Sequence, residues 1–233
     1  MQPLWHEYAG PWALAEALAA AVAENLRRGV IERGAATLVV SGGNTPRRFL
    51  ETLARETLPW TQTTITLADE RWVPPDHARS NERLLRETLL RGAASAARFV
   101  PLYRAAPTPE DSIARIAADL AALPLPFDAV VLGMGTDGHC ASLFPGADNL
   151  AEAMQADGTQ RVLPMRAPAA EEPRVTLTLA ALTQARAMYL HIEGAQKRSV
   201  LEQALSATAP FTQAPVAEVL RGARTQPHIF HCP

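Results

Sequence analysis

Residues 133–145 read GMGTDGHCASLFP, a run in which three glycines surround one aspartate and one histidine. Imidazole is the side chain best matched to moving a proton near neutral pH, and a carboxylate close by can fix its tautomer and orientation. His139, with Asp137 two residues before it, therefore reads as an acid/base pair on a glycine-shaped loop; a purely structural histidine is the alternative. Cys140 has no second histidine beside it in sequence and reads as a small buried side chain rather than a nucleophile. The chain has no G-x-S-x-G elbow, which speaks against a serine esterase. Its remaining histidines do not fall at H-E-x-x-H or other metal-ligand spacing, so no metal and no cofactor is expected.

A second set of residues is suited to holding an anion. SGGNTP, residues 41–46, places Gly42 and Gly43 between an apolar run and Thr-Pro. Two glycines allow φ > 0 and close backbone approach, Thr45 is a good N-cap, and Pro46 suits the first helical position. Backbone N–H groups and the positive end of a helix dipole would then face the turn, for a phosphate or in a plain strand-to-helix connection. The stretch is neither G-x-G-x-x-G nor a Walker loop, which removes support for a dinucleotide or nucleoside triphosphate there. DERWVPP gathers three charges at a strand end. Asp69 suits hydroxyl recognition and Arg71 suits a carboxylate or phosphate oxygen, unless the stretch is a solvated turn. Arg174 and Lys197 are ordinary surface cations by default. Lys197, however, opens a helix directly after a strand, where a cation opposes the dipole unless an anion is present.

The elements that must carry these residues can be read from apolar spacing. Leu14, Leu18, Val22 and Leu26 form one stripe, predicting a helix over 12–28. Residues 35–41 and 63–69 read as strands, with a helix from Pro46 to about residue 56 between them. Ser80 caps a helix over 81–90, and Thr108 with Pro109 and Asp111 opens one ending near Leu123. FDAVVLGMG, 127–135, is a buried strand; further strands start at Arg174 and Ala187, and a helix covers 195–205. Residues 167–173, APAAEEP, read as an exposed loop, and QPHIFHCP at 226–233 gives no reading. This alternation implies a largely parallel sheet with helices on both faces, in one α/β domain over residues 1–233. Ligands in such sheets gather beyond the carboxyl ends of the strands, where all four unusual stretches fall.

Charge and composition exclude some partners. A net charge of −2 gives no global attraction to nucleic acid or to an anionic membrane. No apolar run approaches the ~20 residues of a membrane span, and MQPLWHEYAG lacks the pattern of a signal peptide. Cys140 and Cys232 cannot build a disulfide framework, so a cytoplasmic location is expected.

In this order, SGGNTPRRF, ADERWVP followed by SNERLLRETLL, GMGTDGHCASLFPG, PRVTLTLAAL and GAQKRSVLEQAL resemble the 6-phosphogluconolactonase family. That family is similar in fold to glucosamine-6-phosphate deaminases and ribose-5-phosphate isomerases, a Rossmann-like α/β domain. The resemblance implies that Gly43, Asn44 and Thr45, with Arg174 and Lys197, hold a substrate phosphate. It further implies that His139 is the acid/base and that Asp69 and Arg71 line the sugar site. The deaminases carry an acidic residue shortly after the matching histidine; Ala141-Ser142-Leu143-Phe144-Pro145 stands there in this chain. The implied activity is therefore hydrolysis of 6-phosphogluconolactone in the oxidative pentose phosphate pathway, without a metal. Asp137 would orient the imidazole, and Arg71 or loop N–H groups would meet the oxyanion. The implied partner is a small sugar-phosphate lactone, with no nucleic acid or membrane, bound by a monomer or weak homo-oligomer.

Overall fold

The computed structural model describes residues 1–233. Its strands are β1 (Leu4–Glu7), β2 (Ala36–Val40), β3 (Thr63–Leu67), β4 (Asp69–Arg71), β5 (Arg98–Val100), β6 (Ala129–Leu132), β7 (Val162–Met165), β8 (Arg174–Leu177), β9 (Met188–Glu193) and β10 (His228–Cys232). Its α-helices are α1 (Pro11–Arg33), α2 (Arg47–Leu53), α3 (Asn81–Thr88), α4 (Ile113–Ala121), α5 (Leu150–Ala153), α6 (Leu179–Leu182), α7 (Ala195–Leu205) and α8 (Pro215–Gly222).

Seven strands form one sheet in the order β1-β10-β9-β6-β2-β3-β5, and every neighbouring pair is parallel. Parallel neighbours need crossover connections, which the intervening helices and loops supply. Every residue of β2 and β6 is buried, so both faces are covered at the centre of the sheet. Their sequences, ATLVV and AVVL, are the nearly continuous apolar runs that such two-sided burial demands, broken only by Thr37. The α/β class and the largely parallel sheet are those the sequence implies. Leu14, Leu18, Val22 and Leu26 of α1 are fully buried, as their spacing predicts. The helix outruns that stripe and stops at Gly34, which takes φ 75° and donates its N–H to the Val30 carbonyl at 2.8 Å.

Three departures from the expected elements have physical causes. The strand expected over 63–69 breaks at Ala68, whose N–H still reaches the Val40 carbonyl while its own carbonyl accepts from Leu177 N–H, both at 2.8 Å. The chain changes sheets there. Beyond it, β4 pairs antiparallel with β8, and β8 with β7, in a separate three-stranded sheet. The strand expected at Arg174 belongs to this second sheet. The helix expected from Pro109 starts only at Ile113, because Thr108 and Asp111 bond to each other (Oγ1 to Oδ2, 2.7 Å) around a turn that does not continue helically. QPHIFHCP supplies β10, which sits between β1 and β9. No helix is long and apolar enough to cross a membrane.

Candidate active site

β2 and β6 are neighbours, yet the chain next enters the main sheet beside β2 on one side, at β3, and beside β6 on the other, at β9. A crevice opens beyond their carboxyl ends at such a reversal of strand order. A cleft of about 240 Å³ lies there, bounded by Ser41–Pro46 after β2 and by Gly133, Met134 and Gly135 after β6. Asp69 and Arg71 of β4, Arg174 of β8, His139 and Lys197 complete its walls. All the residues singled out in the sequence thus converge on one cleft, except Asp137, which stands behind His139.

The proton-transfer pair is formed as expected. His139 Nδ1 lies 2.6 Å from Asp137 Oδ1, and the same oxygen accepts the His139 N–H at 3.2 Å. With Nδ1 donating to the carboxylate, the lone pair of the neutral ring is left on Nε2. Burial alone would raise the Asp137 carboxyl; the hydrogen bond and charge of His139 prevail and hold it below the ordinary aspartate value. The imidazole also packs on Phe144, with ring centroids 4.1 Å apart. Gly135 is required here, since a Cβ on it would fall 2.3 Å from His139 Cε1 and 2.5 Å from Asp137 Oδ1. Gly133, Gly135 and Gly138 also match G-x-G-x-x-G spacing, but the next helix begins only at Leu150, so the loop is not the start of a dinucleotide-binding helix. Cys140 is fully buried, and burial pushes its thiol up, as suits an inert side chain.

Opposite this pair lies a cationic wall. Gly43 takes φ 97°, and the N–H groups of Gly42, Gly43, Asn44 and Thr45 make no hydrogen bond within the protein. Thr45 is not an N-cap, which corrects the sequence expectation: α2 begins at Arg47, and the Thr45 hydroxyl instead meets Lys197 Nζ at 3.3 Å. Lys197 is half-buried with no carboxylate in salt-bridge contact, and burial lowers its ammonium below the ordinary lysine value despite the field of Glu193. Arg174 is buried, its Nε has no partner, and its nearest carboxylate oxygen, on Asp69, is 3.7 Å away. Burial lowers its guanidinium; Asp69 opposes that shift and Arg71 adds to it. Arg71 is the direct cross-strand partner of Arg174, an unfavourable pairing of like charges. One Arg71 nitrogen donates to the Arg79 carbonyl, whereas its Nε is buried and unpartnered. Buried donors left unpaired next to uncommitted N–H groups describe a site waiting for an anion.

Asp69 is buried and accepts from Ser142 Oγ at 2.6 Å. Ser142, Asn81 and Glu70 escaped the sequence reading as site residues. Asn81 lines the cleft and donates from Nδ2 to the Asp69 carbonyl at 2.9 Å. Glu70 is wholly buried, and burial pushes its carboxyl up to about 7 against the pull of three backbone N–H groups. The signal for Asn81 was its place directly after a capping serine, beside a charged strand end; nothing local marked Ser142.

A parallel α/β sheet with a histidine–aspartate pair facing a cationic wall at its switch point is the arrangement of a small-molecule enzyme. The chain belongs to the family of glucosamine-6-phosphate isomerases/6-phosphogluconolactonase, whose model matches residues 10–227. A protein of Rhizobium meliloti named 6-phosphogluconolactonase is 46% identical over 228 residues, 98% of each chain. The crystal structure of a 6-phosphogluconolactonase from Shewanella baltica superposes with a TM-score of 0.93 at 38% identity, covering 100% of this chain and 98% of that one. A monomeric glucosamine-6-phosphate deaminase, covering 98% of this chain and 97% of its own, shares the fold with a TM-score of 0.78 at 17% identity.

Proposed function

We propose that the chain hydrolyses 6-phospho-D-glucono-1,5-lactone to 6-phosphogluconate, the second step of the oxidative pentose phosphate pathway, as one α/β domain in the cytoplasm. The observation that carries this reading is the cleft itself, where a histidine–aspartate pair faces uncommitted N–H groups and two poorly paired cations. Peptide N–H groups of residues 42–45, Arg174 and Lys197 grip the phosphate, far from the reacting bond. That binding energy is spent on placing the lactone C1 beside His139. Nε2 of His139 takes a proton from water as the water oxygen bonds to C1. The tetrahedral oxyanion collapses, the bond from C1 to the ring oxygen breaks, and the imidazolium returns its proton to that oxygen. Asp137 holds the ring and stabilises its charged form. Asp69 faces the sugar hydroxyls, while Arg71 or loop N–H groups meet the oxyanion.

Deamination of an amino-sugar phosphate is the competing chemistry on this fold. The segment after His139 carries Ala141, Ser142, Leu143 and Phe144, all buried and none a carboxylate. Ring opening therefore has no acid to draw on at that position. The decisive assay compares 6-phosphogluconolactone with the unphosphorylated lactone, after subtraction of spontaneous hydrolysis, and scores ammonia release from glucosamine 6-phosphate. Strong preference for the phosphorylated lactone with no ammonia is expected. Equal rates on both lactones, or ammonia at a comparable rate, would overturn the reading.

A further inference from the structure

Glu70 lies between the cleft residues Asp69 and Arg71, wholly buried, and lactone hydrolysis by His139 gives it no task. Its carboxylate accepts from the N–H groups of Asn81 (2.8 Å) and Glu82 (2.7 Å), the first two residues of α3. It also accepts from Arg71 N–H at 2.8 Å and from Ser80 Oγ at 3.2 Å. Three of these partners are backbone N–H groups that can only donate, so the cradle suits the ionised form. The helix thus begins on this carboxyl group, at the end where its dipole is positive.

Asn81 carries this placement to the cleft. Its side chain is buried, and Nδ2 ties it to the carbonyl of Asp69. Its Oδ1 occupies the space a side chain on Gly42 would need, 2.0 Å from where that Cβ would stand. One amide therefore touches both the turn after β2 and the strand that presents Asp69 and Arg71. Glycines at that turn are free to sample many backbone conformations unless something holds them.

We propose that Glu70 and Asn81 are positioning residues: Glu70 fixes the start of α3, and Asn81 wedges the Gly42–Gly43 turn against β4 so that the peptide N–H groups of the turn converge with Arg174 and Lys197 on one phosphate. The inference rests on the phosphate reading of the cleft. Replacing either residue leaves every phosphate-contacting group present but loosely placed. The loss falls on binding and spares the His139 step.

The test uses Glu70→Gln, which keeps the size and removes the charge, and Asn81→Ala, which leaves the Glu70 bonds to the α3 backbone intact. Calorimetry measures inorganic phosphate binding to the free protein, and steady-state kinetics on the phosphorylated lactone gives KM and kcat apart. Each variant should weaken phosphate binding and raise KM by about tenfold, with kcat within about threefold of the parent. The double variant should be no worse than the worse single one, because both act through the same wedge. Glu70→Asp, which keeps the charge, should recover part of the loss. Should Glu70→Gln fail to fold, Asn81→Ala carries the test alone. An Asn81→Ala protein that binds phosphate and lactone like the parent, whatever its Tm, overturns the proposal, as does a loss confined to kcat. If the parent itself binds no phosphate, the phosphate reading fails and the proposal with it; if the parent binds and Asn81→Ala binds equally, only the wedge fails.

Discussion

The seven-stranded and the three-stranded sheets meet at Ala68 and are built on opposite terms. At the centre of the large sheet, β2 and β6 are apolar but for Thr37 and buried on both faces. The small sheet is made of DER, RVTL and VLPM, and sets Arg71 directly across from Arg174. Burial stabilises the first at no electrostatic cost. The second holds two cations side by side, with Arg174 largely dry and its nearest carboxylate, Asp69, 3.7 Å away, a pairing that a bound anion would relieve. The large sheet contributes to the cleft only through segments beyond the ends of its strands: the turn at 42–45, the His139 loop and Lys197. The small sheet contributes strand residues themselves. In the proposed reaction, proton transfer thus falls to a shaped loop and charge to a hydrogen-bonded ladder, where a guanidinium has less freedom to drift.

The largest effect should come from the loop side. His139→Ala is expected to lower kcat by about 10²–10⁴-fold with an unchanged circular dichroism spectrum. Near-normal turnover in that folded variant would remove His139 from the chemistry. Next, the two sheets can be set against each other directly. Arg174→Met should cut kcat/KM on the phosphorylated lactone by about 10- to 150-fold. Its Tm should stay level or rise, since a like-charge neighbour of Arg71 has gone. Leu38→Ala, in the middle of β2, should do the reverse, costing about 2–5 kcal/mol by denaturant titration while leaving KM nearly unchanged. If Arg174→Met destabilised the protein as much as Leu38→Ala, the division between the sheets would not stand. The smallest effect concerns pH. Burial lowers the Lys197 ammonium from its ordinary value, so its charge is intact on the acid side and lost as pH rises, earlier than for a solvated lysine. The kcat/KM for the phosphorylated lactone should therefore fall on the alkaline side, and Lys197→Arg should push that limb to higher pH. A limb unmoved by Lys197→Arg would assign the titration elsewhere.

Much of this arrangement was legible because apolar runs and glycine-rich ends are local signals. β2 and β6 read as short apolar, buried strands, and Ser80 caps α3 by accepting from Arg83 N–H at 3.2 Å, as its position implied. The small sheet was not legible, since β4 has three residues and its partner β8 begins about a hundred positions later; no periodicity spans that gap. β10 was hidden for a related reason. HIFHC carries two histidines, and only the fold supplies their partners: His228 meets His6 at 2.9 Å, and His231 meets Glu7 at 2.7 Å, both from β1. In the cleft, residue types chosen for chemistry were found together, whereas of their supports only Asp137 was foreseen. Ser142 reaches Asp69 across 73 positions, a contact no local pattern encodes.

The turn after β2 offers an anion peptide N–H groups rather than side chains, and this has an evolutionary consequence. A grip made by the main chain survives drift at most side chains, so Asn44 is free to change where Gly42 and Gly43 are not. Descendants of one ancestor can then inherit the taste for phosphorylated sugars unaltered while the loop around the histidine diverges toward new reactions. Selection acting on such a scaffold would rewrite what is done to the sugar long before it rewrote which sugars are admitted.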